Sequence, residues 1–201
     1  MTLQTDPKPK KAKKEKKKKT LKEEIMSWVL TFIAAVALLS WMQSAIGQPI
    51  RVDGTSMEST LHDGELVWVS HLDQEYGRGD IVICHYPNRI ESKFSIGAAL
   101  TVTHHTIFVK RLVGLPGETV EIRAKHLYVN GELVPDPENM GSAPRDFGPL
   151  TLGENEYFVV GDNRFSSHDS RADDVGPISQ EMLQGKVTSV IWPLNSIRGV
   201  E

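Results

Sequence analysis

Apolar positions follow two different patterns along this chain. Over residues 25–46 the sequence runs IMSWVLTFIAAVALLSWMQSAI, 22 residues without a charge. A helix needs about 20 such residues to cross a bilayer. Trp28 and Trp41 stand towards its two ends, where amphipathic rings favour the headgroup level. A cleavable leader would carry a shorter apolar stretch with a small-residue cut site, and a surface helix would show a polar face. The pattern therefore predicts one retained transmembrane helix over 25–46, ended by Gly47-Gln48-Pro49.

Beyond that point the apolar runs are short, β-branched and broken by Gly, Pro and Asp, which predicts strands over 66–69, 80–84, 106–113, 157–160 and 186–192. Residues 126–134 form a hairpin pattern around Asn130-Gly131, a pair suited to the two positive φ angles of a tight turn. Leu115-Pro116-Gly117 fits a type II turn. A short helix is expected near 179–183, and the Pro-, Gly- and acid-rich residues 135–150 read as an exposed loop. The predicted fold class is mostly β, an antiparallel sheet with a small β-hairpin insertion over about 119–155, preceded by one N-terminal transmembrane helix. Three parts follow: a basic tail over 1–24, the helix over 25–46, and a β-rich body over 47–201.

Charge adds orientation. The whole chain is at −3, but residues 1–24 carry ten lysines and a net +6, which leaves −9 on the other 177 residues. Positive charge before the span places residues 1–24 in the cytoplasm and the body outside it. An acidic body has no basic surplus with which to neutralise phosphates, so nucleic-acid binding by the body is excluded. Cys84 is the single cysteine, which rules out an intramolecular disulfide; within its apolar run it reads as a buried thiol. No cofactor is implied, and His104-His105 lack a third ligand at a useful spacing for metal.

Three segments carry candidate chemistry. They are Val52-Asp53-Gly54-Thr55-Ser56-Met57-Glu58-Ser59-Thr60-Leu61, then Phe108-Val109-Lys110-Arg111-Leu112-Val113-Gly114-Leu115-Pro116-Gly117-Glu118, then Gly161-Asp162-Asn163-Arg164-Phe165-Ser166-Ser167-His168-Asp169-Ser170-Arg171. With Arg78-Gly79-Asp80 between the first two, this ordered set resembles bacterial type I signal peptidases, membrane proteases that remove signal peptides from exported proteins. The resemblance covers residues from about 25 to 195. It implies a serine endopeptidase in which Ser56 is the nucleophile and Lys110 its general base, with Met57 packed beside the nucleophile on the substrate-pocket side. It also implies that Ser167 hydrogen-bonds the lysine. Arg111, Asp162, Arg164, Asp169 and Arg171 would form a charged network that positions the third segment.

The residues themselves agree with that reading. A serine hydroxyl needs a neighbouring base, and the histidines, lysines and carboxylates of the body are all candidates. An ordinary lysine, with a pKa near 10.4, is neutral in only about one molecule in 2,500 at pH 7. Burial can lower that pKa by about 3–5 units. On a strand, alternation puts Lys110 on one face with Phe108 and Leu112, and Arg111 on the other. His168-Asp169 suggests a histidine triad, but adjacent residues do not easily form the orienting bond.

Two positions depart from the family pattern. Ser59 stands where the family usually has Pro. Gly54 stands where some members place a serine hydroxyl in the oxyanion hole, so the hole is expected to use backbone N–H groups at Gly54 and Ser56. The implied substrates are preprotein signal peptides with small residues at −1 and −3, cut near the bilayer and the secretion machinery. Ser56 lies ten residues after Ile46, a tether of at most about 33–36 Å. The rival readings are a pilin- or conjugation-type peptidase of the same chemistry and a membrane-tethered β module without catalysis.

Overall fold

The computed structural model describes residues 20–96, 100–135 and 143–200. The chain divides into two compact units, Met1–Trp41 and Met42–Glu201.

The helix α1 covers Leu21–Ala45 and begins four residues before the predicted span. Its start is set by Thr20 and Glu23. The Thr20 N–H donates to Glu23 Oε2 at 2.8 Å, and the Glu23 N–H donates to Thr20 Oγ1 at 3.4 Å. This reciprocal capping satisfies two N–H groups that the first turn leaves without helical partners. Over Leu21–Met42 the helix is long and apolar enough to cross a membrane, and none of that window is buried against protein.

In the second unit the strands are β1 (Gly47–Arg51), β2 (Leu66–Ser70), β3 (Ile81–Ile96), β4 (Leu100–Gly114), β5 (Thr119–Arg123), β6 (His126–Val129), β7 (Glu132–Leu133), β8 (Phe147–Thr151), β9 (Glu156–Val160), β10 (Ile178–Ser179), β11 (Leu183–Trp192) and β12 (Arg198–Gly199). Among the described residues the large sheet has the order β1-β2-β11-β3-β4-β9-β10, with β12 on β11, and the small one β7-β6-β5-β8. Each pairing in both sheets is antiparallel. The mostly β architecture with one apolar N-terminal helix is thus the predicted fold class.

Several elements differ from the expectation. Strand β1 occupies Gly47-Gln48-Pro49, which the sequence assigns only to stopping the helix. Gly47 has φ +150°, and a Cβ there would collide with the Val69 carbonyl, so the residue that ends the helix also lets β1 approach β2. Strand β8 falls inside the expected loop, of which residues 136–142 lie outside the described residues. It holds Pro149, yet it is the edge strand beside β5, where proline sacrifices no ladder bond that the sheet requires. Strands β3 and β4 run well past 84 and start well before 106. In their extension Ile90, Phe94 and Ile96 pair with His105, Val102 and Leu100, an interrupted alternation that the predicted strands leave out. The short helix near 179–183 is a 3-10 turn at Gln180–Met182.

Three buried clusters fill the body. One joins Val52, Met57 and Leu61 to Val67, Val69, Ile81, Ile83, Val187 and Val190. A second holds Val82, Cys84, Tyr86, Leu112, Tyr157, Val159, Val175, Ile178 and Leu183, with Phe108 against it. The third seats the small sheet on β9 through Val120, Ile122, Leu127, Val129, Leu152, Phe158 and Val160. Phe158 is fully enclosed there. Phe158→Ala is expected to lower stability by about 3–5 kcal/mol, mostly cavity and lost transfer energy, as read from thermal or denaturant unfolding in detergent.

Candidate active site

Residues 52–65 form a closed loop between β1 and β2. Its base is fastened by the Val52 N–H donating to Glu65 O at 2.8 Å and the Gly64 N–H donating to Val52 O at 3.0 Å. Inside it the N–H groups of Thr60 and Leu61 both donate to Met57 O, at 3.0 and 2.8 Å. Ser59 takes φ +87°, which a proline ring, fixed near −65°, cannot reach. The turn therefore follows a path that the family's usual Pro would forbid. Met57 is 1% exposed and belongs to the first core cluster. With Leu61, four positions on, it docks the loop on that cluster.

Strand β4 brings Lys110 to this loop. Its Nζ lies 2.7 Å from Ser56 Oγ and donates to Val109 O at 3.1 Å. The side chain is 3% exposed. Leu112 and Phe108 lie on its side of the strand with Val82 and Cys84, as alternation predicts, and Val82 pairs with Lys110 across the ladder. The amine is 5.8 Å from the centre of the Phe108 ring, which stacks on Tyr86. Burial lowers the lysine pKa from its ordinary value, against smaller opposing effects of Cys84, Asp169 and Asp162. Burial also pushes the Cys84 thiol up to about 12, leaving it an inert neutral neighbour.

Arg111 points the other way and grips Asp162 through two bonds, Nε to Oδ1 and Nη2 to Oδ2, both 2.9 Å. Its Nη1 donates to Gly79 O at 2.6 Å, adding to the main-chain bonds of Gly79 and Asp80 with Leu112 that join the Arg78-Gly79-Asp80 segment to β4. Thr60 Oγ1 donates to Asp162 Oδ2 at 2.6 Å, tying the Ser56 loop into the same pair. A carboxylate as enclosed as Asp162 needs these partners to offset its desolvation.

A second pair holds the segment after β9. Arg171 donates to Asp169 at 2.7 and 2.8 Å, and its Nη1 to Arg164 O at 3.0 Å, so Arg164 is held by its backbone. The Gly161 N–H donates to Asp169 Oδ2 at 2.9 Å. Burial works to raise the Asp169 pKa, but the Arg171 bonds and charge outweigh it and hold the carboxyl below its usual range. Asn163 closes the contact with the nucleophile loop, its N–H donating to Ser56 O at 3.0 Å and its Nδ2 to Thr55 O at 3.1 Å.

The expected Ser167–Lys110 bond does not form. Ser167 Oγ is buried over Gly161 and lies against the Asp169 carboxylate, which it helps to hold low, rather than on the amine. His168 turns to Asp174 at 3.0 Å rather than to Asp169. His104 and His105 lie on β4, with side chains outside the described residues. The Gly54 N–H donates to Asp63 Oδ1 at 2.9 Å, so this expected oxyanion donor is already engaged and the Ser56 N–H is the remaining one of the two. Glu65 and Tyr86 carry no motif signal, yet Glu65 fastens the loop base and Tyr86 donates to His168 O at 2.7 Å.

The site thus holds a serine hydroxyl against a desolvated amine on an antiparallel β scaffold. Residues 25–192 match the family model described as signal peptidase, peptidase S26, and the chain belongs to that family. It is 37% identical to signal peptidase I of Bacillus licheniformis over 190 residues, covering 88% of this chain and 94% of that one. Signal peptidase I T of Bacillus subtilis (strain 168) is 35% identical, with 96% of this chain and 98% of the relative covered. A crystal structure of a signal peptidase I from Enterococcus faecalis V583 is 30% identical, covering 57% of this chain and 97% of that one, with a TM-score of 0.42. The chain is accordingly an enzyme with peptidase activity.

Gly161 tests the geometry. A Cβ there would collide with Ser167 Oγ and with the Ser56 carbonyl. Gly161→Ala should cost about 1–3 kcal/mol of stability by overpacking. A melting temperature equal to that of the parent would contradict the contact.

Proposed function

We propose that this chain is a membrane-bound serine endopeptidase that removes N-terminal signal peptides from exported preproteins, with Ser56 as nucleophile and Lys110 as general base. The observation that carries it is the 2.7 Å approach of Ser56 Oγ to a lysine amine enclosed by apolar side chains. The substrate class follows from the family and from the names of the relatives, each a signal peptidase I.

In the mechanism, neutral Lys110 accepts the Ser56 proton as Oγ forms a bond to the scissile carbonyl carbon. The Ser56 N–H donates to the resulting oxyanion; one such donor is worth about 2.7–4 kcal/mol. Collapse breaks the C–N bond, and the proton on Lys110 passes to the departing amine. Water then gives a proton to Lys110 and attacks the acyl-serine, and Oγ leaves with that proton. Arg111, Asp169 and Arg171 act through the backbone they hold, and Arg164 through the carbonyl by which it is held. Asp162 acts through Arg111 and the Thr60 hydroxyl, and Ser167 from its place over Gly161 beside Asp169.

Small residues at −1 and −3 suit shallow apolar pockets that exclude larger side chains. An extended peptide gains main-chain bonds by lying along a strand edge. The 22-residue apolar stretch of α1 supports membrane anchorage, and the lysines before it support a cytoplasmic N-terminus with the body outside. Substrates therefore reach the enzyme as they leave the secretion machinery.

Ser56→Ala and Lys110→Ala are each expected to abolish processing of a secreted preprotein in detergent; residual cleavage by purified Ser56→Ala at more than a thousandth of the parent rate would overturn the reading. Because the neutral amine is the active form and burial lowers its pKa, kcat should fall as pH drops through that lowered value and stay high above it. A flat kcat profile from pH 5 to 9 would exclude a lysine base. Lys110→Met should be inactive yet no less stable than the parent, since it removes a buried ionisable group from an apolar face.

A further inference from the structure

The residues after Trp192 lie beyond the stretch that the family model matches, and the sequence pattern gives them no role. The structure returns them to the Ser56 loop. A 3-10 turn at Leu194–Ser196 reverses the chain, and β12 pairs with β11, Arg198 opposite Val190. The Arg198 guanidinium then meets three acceptors besides its own neighbour Ser196. Nη1 donates to Glu65 Oε1 at 2.8 Å, and Nη2 donates to Glu65 Oε2 at 2.9 Å and to Thr60 O at 2.8 Å.

Glu65 is buried and also accepts the His62 N–H at 3.0 Å, while its own carbonyl closes the loop base. Burial pushes its pKa up, but Arg198 more than offsets this and keeps the carboxyl ionised. Thr60, four residues after Ser56, is consequently held from two sides. Its carbonyl takes Arg198 and its hydroxyl donates to Asp162, which is locked to Arg111 beside Lys110. Glu65, Arg198, Thr60, Asp162 and Arg111 form one continuous chain of bonds beneath the two reacting groups.

We infer that Arg198 is a positioning residue that fixes the Ser56 loop against the strand of Lys110. The inference rests on the Ser56–Lys110 reading above. A planar fork can span a carboxylate and a carbonyl at once; a lysine ammonium, a point charge on a flexible stem, keeps the charge on Glu65 but not that geometry. Displacements of about 1 Å at a reacting pair cost on the order of 100-fold in rate.

The experiment measures preprotein processing by the full-length chain in detergent for Arg198→Lys, Arg198→Ala, Thr60→Val and Ser56→Ala, below each variant's melting temperature. Arg198→Lys should lose about 10- to 100-fold in kcat with KM nearly unchanged. Its acid limb of kcat should move to higher pH, because a loosened loop admits water to Lys110. Thr60→Val combined with Arg198→Lys should lose less than the product of the single losses, since both act on one residue. Folded Arg198→Lys with the parent's kcat and pH profile, even if it melts earlier, would overturn the inference and leave Arg198 a stabilising residue only. If Arg198→Ala fails to fold, Arg198→Lys decides. Cleavage by Ser56→Ala would instead sink the dyad itself, an outcome distinct from either.

Discussion

A lysine amine beside a hydroxyl is useful as a base only if it stands uncharged, and an uncharged lysine at ordinary pH exists only where water has been removed from it. Nearly everything else about the body answers to that constraint. Val82, Cys84, Phe108 and Leu112 clothe the amine, and they can do so only because β3 and β4 pair in one register. The strand that buries Lys110 must then dispose of Arg111, one residue on, whose charge cannot be extinguished. It does so by turning Arg111 to the opposite face and closing it on Asp162. The two requirements are linked by the alternation of a strand: the amine is kept dry by the same geometry that sends its neighbour to a carboxylate.

The ion pairs consequently have a positional role more than an energetic one. Buried pairs of this kind return little net stability, because desolvation consumes most of the attraction. What Arg111–Asp162 and Arg171–Asp169 do supply is direction. Each reaches a backbone group or a hydroxyl of the segment it must hold: Gly79 and Thr60 for the first, Gly161 and Arg164 for the second. Three stretches far apart in sequence are thereby fixed around one serine.

How much of this can be read from the sequence depends on the range of the interaction. Lys110 could be placed on an apolar face because alternation is local and its neighbours are apolar. The strands with apolar patterns were legible for the same reason. The extension of β3 and β4 was passed over because its alternation of Ile90, Phe94, Ile96, Leu100 and Val102 is interrupted by Ser92 and by the charged Glu91 and Lys93. Strand β8 is hidden by Pro149 and Gly148, whose turn character is overruled by an available edge on β5. Within the site, the Ser56, Lys110 and Asp162 segments announced themselves by motif. The contact of Arg198 with Glu65, 133 positions apart, has no local signature at all. The motif puts Met57 beside the serine but does not reveal that it belongs to a core cluster with Val52 and Leu61. Nor does it reveal that Ser167 Oγ lies over Gly161 beside Asp169.

Ser56 and Lys110 also rest on different foundations. The serine's loop is seated through Met57 and Leu61 in one core cluster, and the lysine shares its face with another. Their separation therefore depends on both clusters, which meet at Val109 next to Lys110. A cavity opened in either cluster is accordingly expected to reach the 2.7 Å contact without touching either partner.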